Sequence, residues 1–259
     1  MTTNRWLVAA LALAGIAGAQ PRAYAADLPQ GALVTKAPVV ALAYRWTGCY
    51  LGANVGGGSN RAAFFDATPP RPTGLDHGVA RGTGALGGGQ IGCDYQAGNW
   101  VFGLQGMIEA TNLNGTSHFV PGPADPQSPN VLDMRSRTSA LATATARVGY
   151  AVQPQVVIYA KGGAAWMRSQ VDYTITGMGA FTFPFTGSDT RTGWTAGGGV
   201  EFLIAPNWSV FAEYNYMDFG SKTLTLQGYG GTAGATAPIV VNHRIDTAMF
   251  GVNYRFGSP

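Results

Sequence analysis

The stretch from Thr83 to Asn112 limits what this chain can fold into more than any other. Read in steps of two, Ala85, Gly87, Gly89, Ile91, Cys93 and Tyr95 form one set, and Leu86, Gly88, Gln90, Gly92, Asp94 and Gln96 form the other. After a break at Ala97, Gly98 and Asn99 the alternation resumes, with Trp100, Phe102, Leu104, Gly106, Ile108 and Ala110 set against Gly103, Gln105, Met107, Glu109 and Thr111. Period-two alternation on both sides of a short turn predicts a β-hairpin. Each arm has about the ten residues that a tilted strand needs to cross a bilayer. The side carrying Gln90, Gln105 and Glu109 cannot face lipid, so it must face a polar interior.

Composition supports a membrane barrel. Only 11% of the 259 residues are charged, too few to solvate an ordinary surface, while the 38 glycines are about twice the usual share. No apolar run beyond the N-terminus approaches the 18 or so residues of a membrane helix, so a membrane location implies strands. Residues 1–25 read as a signal peptide, with Arg5 as basic region, Trp6 to Ala19 as apolar core and Ala23, Tyr24 and Ala25 as cleavage site. A short membrane anchor is the alternative, but the apolar run is too short for it. Losing Arg5 and Arg22 takes the 16 basic residues down to 14 against 13 acidic ones. That balance gives no support to nucleic-acid binding.

Residues 26–45, with Pro29 and Pro38, read as a periplasmic lead-in, and residues 46–259 as the barrel. A first strand runs from Trp46 to Gly58, with Cys49, Leu51, Ala53 and Val55 on its apolar face. Later strands turn Ala140 to Tyr150, Ile158 to Trp166, Trp194 to Ile204, Val210 to Tyr216 and Ala248 to Phe256 outward in alternation. Long loops are expected over Ser59–Gly82, Leu113–Arg135, Val171–Arg191 and Gly220–Pro238, with short turns between them. The result is an all-β, eight-stranded antiparallel up-and-down transmembrane barrel, both termini periplasmic. Gly87 to Gly89 followed by Asn99 and Trp100 is echoed by Gly197 to Gly199 followed by Asn207 and Trp208, a repeated hairpin. Trp46, Trp100 and Trp208 then form one interfacial girdle, and Trp166 and Trp194 the other. A soluble β-sandwich also fits alternation alone, with the tryptophans in its core. Inward charges on most strands favour the polar barrel.

Several segments resemble a known family. Ala26 to Pro29 with Lys36, Ala37 and Pro38; Trp46, Thr47, Gly48 with Tyr50, Leu51, Gly52; Gly88 to Gly92; Asn99 to Gly103; Ala146 to Tyr150; and Gly193, Trp194, Thr195 to Glu201 are similar to the small outer-membrane immunogenic proteins of alphaproteobacteria, a porin-grouped family of OmpA-like eight-stranded barrels. The resemblance spans the mature chain, strands better than loops. It implies outer-membrane location, contact with outer-membrane lipid and lipopolysaccharide, and handling by the barrel-assembly machinery. Gly251, Tyr254 and Phe256 resemble the C-terminal signal which that machinery reads, although Gly257, Ser258 and Pro259 extend past the expected terminal Phe.

Cys49 and Cys93 share the apolar face of neighbouring strands, and a register that sets Val55 against Gly87 sets Cys49 against Cys93. A disulfide is therefore expected, with two free lipid-facing thiols as the alternative. In the family these sites are usually aromatic, so the cysteines look like a replaced cross-strand pair.

The remaining candidates for chemistry are weak. Gly82, Gly84 and Gly87 spell G-x-G-x-x-G, but a strand rather than a helix follows, so the phosphate-cradling geometry is missing. His77 and His118 fall in different expected loops and His243 near the top of the last strand, which gives no metal-ligand spacing. Inward Glu109, Arg147, Lys161, Glu201, Glu213 and Arg255 could form a carboxylate active site, yet three acids and three bases in so narrow a space are better read as pairing with one another. A lipid-modifying enzyme would need an outward Ser–His–acid set, and no strand carries an outward His. The reading is therefore no enzyme, no cofactor and no metal. It is an envelope-stabilising barrel that shows antigenic loops, where any extracellular ligand would bind, with a low-conductance porin or an adhesin as alternatives.

Overall fold

The computed structural model describes residues 44–66, 76–119, 131–177 and 181–256. The signal peptide, the lead-in up to residue 43 and residues 257–259 lie outside the described residues. Eight strands follow in order: β1 (Gly48–Asp66), β2 (Asp76–Ala97), β3 (Trp100–Phe119), β4 (Val131–Gln153), β5 (Val156–Thr176), β6 (Thr182–Ala205), β7 (Trp208–Gly228) and β8 (Thr236–Phe256). Each pairs antiparallel with its neighbour, and β1 pairs with β8 from Cys49 opposite Phe256 to Asp66 opposite Ile239, closing the barrel.

Three short turns, at residues 98–99, 154–155 and 206–207, gather at one end. The repeated hairpins are equivalent there: the Ala151 amide donates to the Asn99 carbonyl and the Arg255 amide to the Asn207 carbonyl, each at 2.7 Å. Trp100 packs edge-on against Tyr150 and Trp208 against Tyr254. Toward the other end Trp194 packs on Tyr216, with Trp166 exposed at a similar height. Between the two aromatic rows the outward side chains are apolar and exposed, among them Leu51, Ile91, Leu104, Ile108, Ile158, Val200 and Phe250. An apolar band between aromatic girdles is the lipid-facing surface of a membrane barrel.

The strands are 19 to 24 residues long, not ten. Most of what reads as long loop is strand, so His77 lies on β2 and His118 on β3 rather than in loops. Beyond the second girdle the pattern inverts. Outward positions become polar, as at Arg61, Arg81, Arg137, Gln170 and Thr190, while Phe64, Leu132, Met134, Val171, Leu226 and Val241 pack together inside. Irregularities between Thr138 and Ala140 on β4 and between Asp218 and Ser221 on β7 shift side-chain parity near this level, whereas β3 keeps Glu109, Leu113 and Gly115 inward through its own irregularity between Ala110 and Leu113. A bulge adds one residue and swaps faces, so a period-two reading loses the strand where the barrel leaves the membrane.

Inward glycines make room for large side chains on neighbouring strands. A Cβ on Gly92 would collide with the Tyr50 ring, and one on Gly103 with the Asp94 carboxylate. Outward Gly89 has only the Gly52 carbonyl oxygen near, at 3.5 Å. Gly92→Val is expected to destabilise the barrel by about 1 to 3 kcal/mol through overpacking, while Gly89→Val leaves it nearly unchanged. The temperature at which the folded band is lost in SDS gels checks both, and equal shifts would refute the socket role.

Candidate functional site

The charged interior begins at the short-turn end with Trp46. This residue does not belong to the girdle expected for it: β1 starts at Gly48, and Trp46 is fully buried, with its indole N–H donating to the Pro154 carbonyl at 3.1 Å. It shares parity with inward Tyr50 and Asn54, so the turn-side ring enters the mouth of the barrel instead of the lipid interface. Trp100, Trp166, Trp194 and Trp208 are exposed on the outer wall.

Above Trp46 two arginines and two acids form a closed square. Arg147 grips Asp94 with two parallel hydrogen bonds, Nε to Oδ1 at 2.9 Å and Nη2 to Oδ2 at 2.7 Å, and reaches Glu201 through Nη1 at 2.9 Å. Arg255 bonds the same two carboxylates, at 2.5 Å and 3.1 Å, and also donates to the Trp46 carbonyl at 2.7 Å. Ser209 and Asn253 also donate to Glu201 Oε1, which they share with Arg255. Tyr50 lies between the guanidinium groups, and Arg147 also faces the Tyr159 ring. All four charged side chains are at most 1% exposed. Two charges of each sign cancel, and fork-to-carboxylate bonding is the geometry in which buried arginine is best compensated.

Asp94 belongs to this square although the charge pattern alone did not single it out. It was legible as an inward residue of β2, but its distance in sequence from Arg147 and Arg255 hid the pairing. The six expected members also do not form one network. Lys161 pairs with Glu213 at 2.5 Å and donates to the Gln105 amide oxygen at 3.0 Å, forming a second cluster that Tyr159 and Asn215 complete by donating to Glu213. Glu109 is buried near Lys161 and Glu213, yet no ion pair among the described residues includes it, and its Oε1 has no hydrogen-bond partner.

Apolar layers alternate with these polar ones. Leu86, Met107, Phe211 and Met249 form one, and Leu113, Leu141, Met167, Met217, Phe219 and Ile245 another. Above the second girdle His243, Arg191, Asn60, Ser169 and Thr138 form a further polar layer. Burial, and the Arg191 guanidinium beside it, push the His243 imidazole down to about 3, so it is neutral. Hydrogen bonds from Lys222 and Arg191 hold the Asp189 carboxyl below the usual range against its partial burial. His118 Nδ1 meets Asp133 Oδ1 at 2.5 Å on the exposed outer wall. Among the described residues no group of three or more His, Cys, Asp or Glu is placed to hold a metal.

Cys49 and Cys93 stand directly opposite each other on β1 and β2, joined by a disulfide on the outer wall close to Phe256. Gly251, Tyr254 and Phe256 lie on β8, with Tyr254 and Phe256 outward and their rings 4.9 Å apart.

The family model described as "Outer membrane protein beta-barrel domain" matches residues 9–256. The 31 kDa outer-membrane immunogenic protein of Brucella melitensis is 29% identical over 199 residues, covering 73% of this chain and 77% of that protein. The 25 kDa outer-membrane immunogenic protein of the same organism is 27% identical over 237 residues, covering 90% and 91%. Among solved structures, the outer membrane protein OprG from Pseudomonas aeruginosa aligns with TM-score 0.45 and 12% identity, covering 83% of this chain and all of that one, 100%.

Replacing Arg147 by Leu strands Asp94 and Glu201 and should cost on the order of 3 to 5 kcal/mol, whereas Glu109→Gln should change little because no ion pair is lost. Heat-modifiability midpoints separate the two, and an unchanged midpoint in Arg147→Leu would refute the pairing. Intact mass of the mature protein, alkylated with and without prior reduction, should show two alkyl groups only after reduction. Two groups without reductant would mean free thiols at Cys49 and Cys93.

Proposed function

The chain belongs to the outer membrane protein β-barrel family and resides in the outer membrane, and from that premise we propose that it is a closed structural barrel that stabilises the envelope and carries surface-exposed antigenic loops, with neither a diffusion pore nor an enzymatic site. The observation that carries this is the fully buried square of Asp94, Arg147, Glu201 and Arg255 above Trp46, which spans the interior from β2 and β4 to β6 and β8. An eight-stranded barrel has an interior just wide enough for side chains. Here the carboxylates and guanidinium groups are spent on one another, which leaves no unpaired acid–base set in the square for catalysis.

The short-turn end faces the periplasm, where both barrel ends meet, and the extended strands project outward. That extension is built like a small soluble barrel, apolar inside and polar outside, so the described strands end clear of the membrane. Outer-membrane lipid and lipopolysaccharide surround the band, the barrel-assembly machinery reads β8 during insertion, and any extracellular ligand is met by the loops. The names of the immunogenic relatives support surface exposure.

Refolded protein in a planar bilayer should give no sustained single-channel current of porin size, only brief small flickers. Stable porin-sized openings would overturn the closed-barrel reading and favour a diffusion pore.

A further inference from the structure

Three arginines stand side by side on the outer wall. Arg61 on β1 is directly opposite Arg81 on β2 and directly opposite Arg244 on β8, and all three side chains point outward and are exposed. Like charges directly opposed across strands are unfavourable, so this placement favours an anion that bridges them. The described carboxylates do not supply one for the whole row. Asp218 reaches Arg244 at 3.2 Å, Asp246 accepts from the Tyr214 hydroxyl, and Arg61 and Arg81 take part in no ion pair among the described residues.

Their height matches a lipid headgroup. Trp194, in the outer girdle, is opposite Asp218, which is opposite Arg244. Strands spaced about 4.8 Å and tilted about 40° raise each step around the barrel by about 3 Å. Arg244, Arg61 and Arg81 therefore rise from about 6 to 12 Å above Trp194, from the polar headgroup zone to just beyond it. Their aliphatic stems can lie along the wall while the guanidinium groups stay in that zone.

Below the row, on the same two central strands, the lipid-facing wall is hollowed. A groove of about 750 Å³ runs over β6, β7, β8 and β1, lined by Val55, Ala53, Val210, Ala212, Phe250 and Val252, with almost wholly apolar walls. From Phe250 up to Arg244 the tilted strand climbs about 15 Å, the depth of one leaflet's hydrocarbon.

We propose that Arg61, Arg81 and Arg244 together with the groove over β7, β8 and β1 form a binding site for one phosphorylated glycolipid of the outer leaflet, its phosphate held by the arginines and an acyl chain laid in the groove. Guanidinium groups bind phosphate oxygens by paired charge-assisted hydrogen bonds, which gives the phosphate end its selectivity. The small side chains Ala53 and Ala212 let the chain approach the wall closely. This site rests on the outer-membrane reading above and names one of its lipid partners.

The test uses the refolded full mature chain in neutral-lipid vesicles and adds purified bisphosphorylated lipid A, or the same lipid A with its phosphates removed. The wild type should bind the phosphorylated form at least about tenfold more tightly. The double variant Arg61→Gln, Arg81→Gln should lose that preference, while Arg137→Gln, on the distant β4 wall, should keep it. Ala212→Phe, which fills the groove and leaves the arginines, should weaken both lipids about equally. Each variant is first checked for the folded band in unheated gels, and if the double variant does not fold, Arg61→Gln alone is used and should reduce the preference. Equal binding of the two lipids by wild type, an unaffected preference in the arginine variant, full competition by millimolar inorganic phosphate, or binding of heparin with none of lipid A would each overturn the site. Failure here leaves the bilayer current at zero, whereas failure of the closed-barrel reading appears as sustained current with lipid preference intact.

Discussion

Closure of the ladder between β1 and β8 is the constraint from which the rest follows. In hydrocarbon an unpaired backbone amide or carbonyl costs several kcal/mol, so a sheet in a membrane survives only without edges. Eight strands closed in this way leave an interior about one side chain deep from each wall. Every inward residue must therefore fit against inward residues from several other strands. The glycines at 92 and 103 answer that demand, since the Tyr50 ring and the Asp94 carboxylate occupy the space their side chains would need. High glycine content, which looks like flexibility in a list of residues, is here the counterpart of large buried side chains.

The same closed wall serves two solvents, and the chain changes its pattern between them. Within the girdles, leucine, isoleucine and phenylalanine face out while arginine, glutamate and glutamine face in. Past Trp166 and Trp194 the arrangement reverses, with Phe64, Met134 and Leu226 inside and arginines outside. The strands pair in both zones, although on the β6–β7 seam the pairing is interrupted between Thr186 and Trp194. The inversion is a matter of which face is wet, not of a new element.

How much of this is legible in sequence depends on whether the deciding contact is local. Alternation along Ala85–Tyr95 and Trp100–Ala110 is a property of neighbouring residues, so strand identity, facing and short turns could be read directly, as could the inward facing of Arg147, Glu201 and Arg255. The opposition of Cys49 and Cys93 also followed from parity. Trp46 misled because an aromatic residue at a strand start suits an interface, although its parity with Tyr50 already pointed inward. The strand extensions were hidden on β4 and β7 by the parity shifts at Thr138/Ala140 and Asp218/Ser221, and on the other strands by the inversion of polar and apolar faces where the solvent changes. The place of Asp94 in the square, and the alignment of Arg244 with Arg61 and Arg81, depend on pairings between strands far apart in the chain. No local pattern encodes them.

Arginine illustrates how parity assigns a role. Arg255 and Arg244 lie on one strand, yet the first is sealed against Asp94 and Glu201 and the second stands exposed on the outer wall. Sliding β8 by one residue against β1 would turn Arg255 and Asn253 toward lipid and drive Tyr254 and Phe256 into the charged interior. Burying those rings there takes from both carboxylates one of their two arginines, while a guanidinium facing the acyl region finds no partner. A buried ion square need add little to net stability to penalise that slip heavily. The charges at the inner end therefore hold the register of the closing seam, and the same register brings Arg61, Arg81 and Arg244 level with one another on the outside.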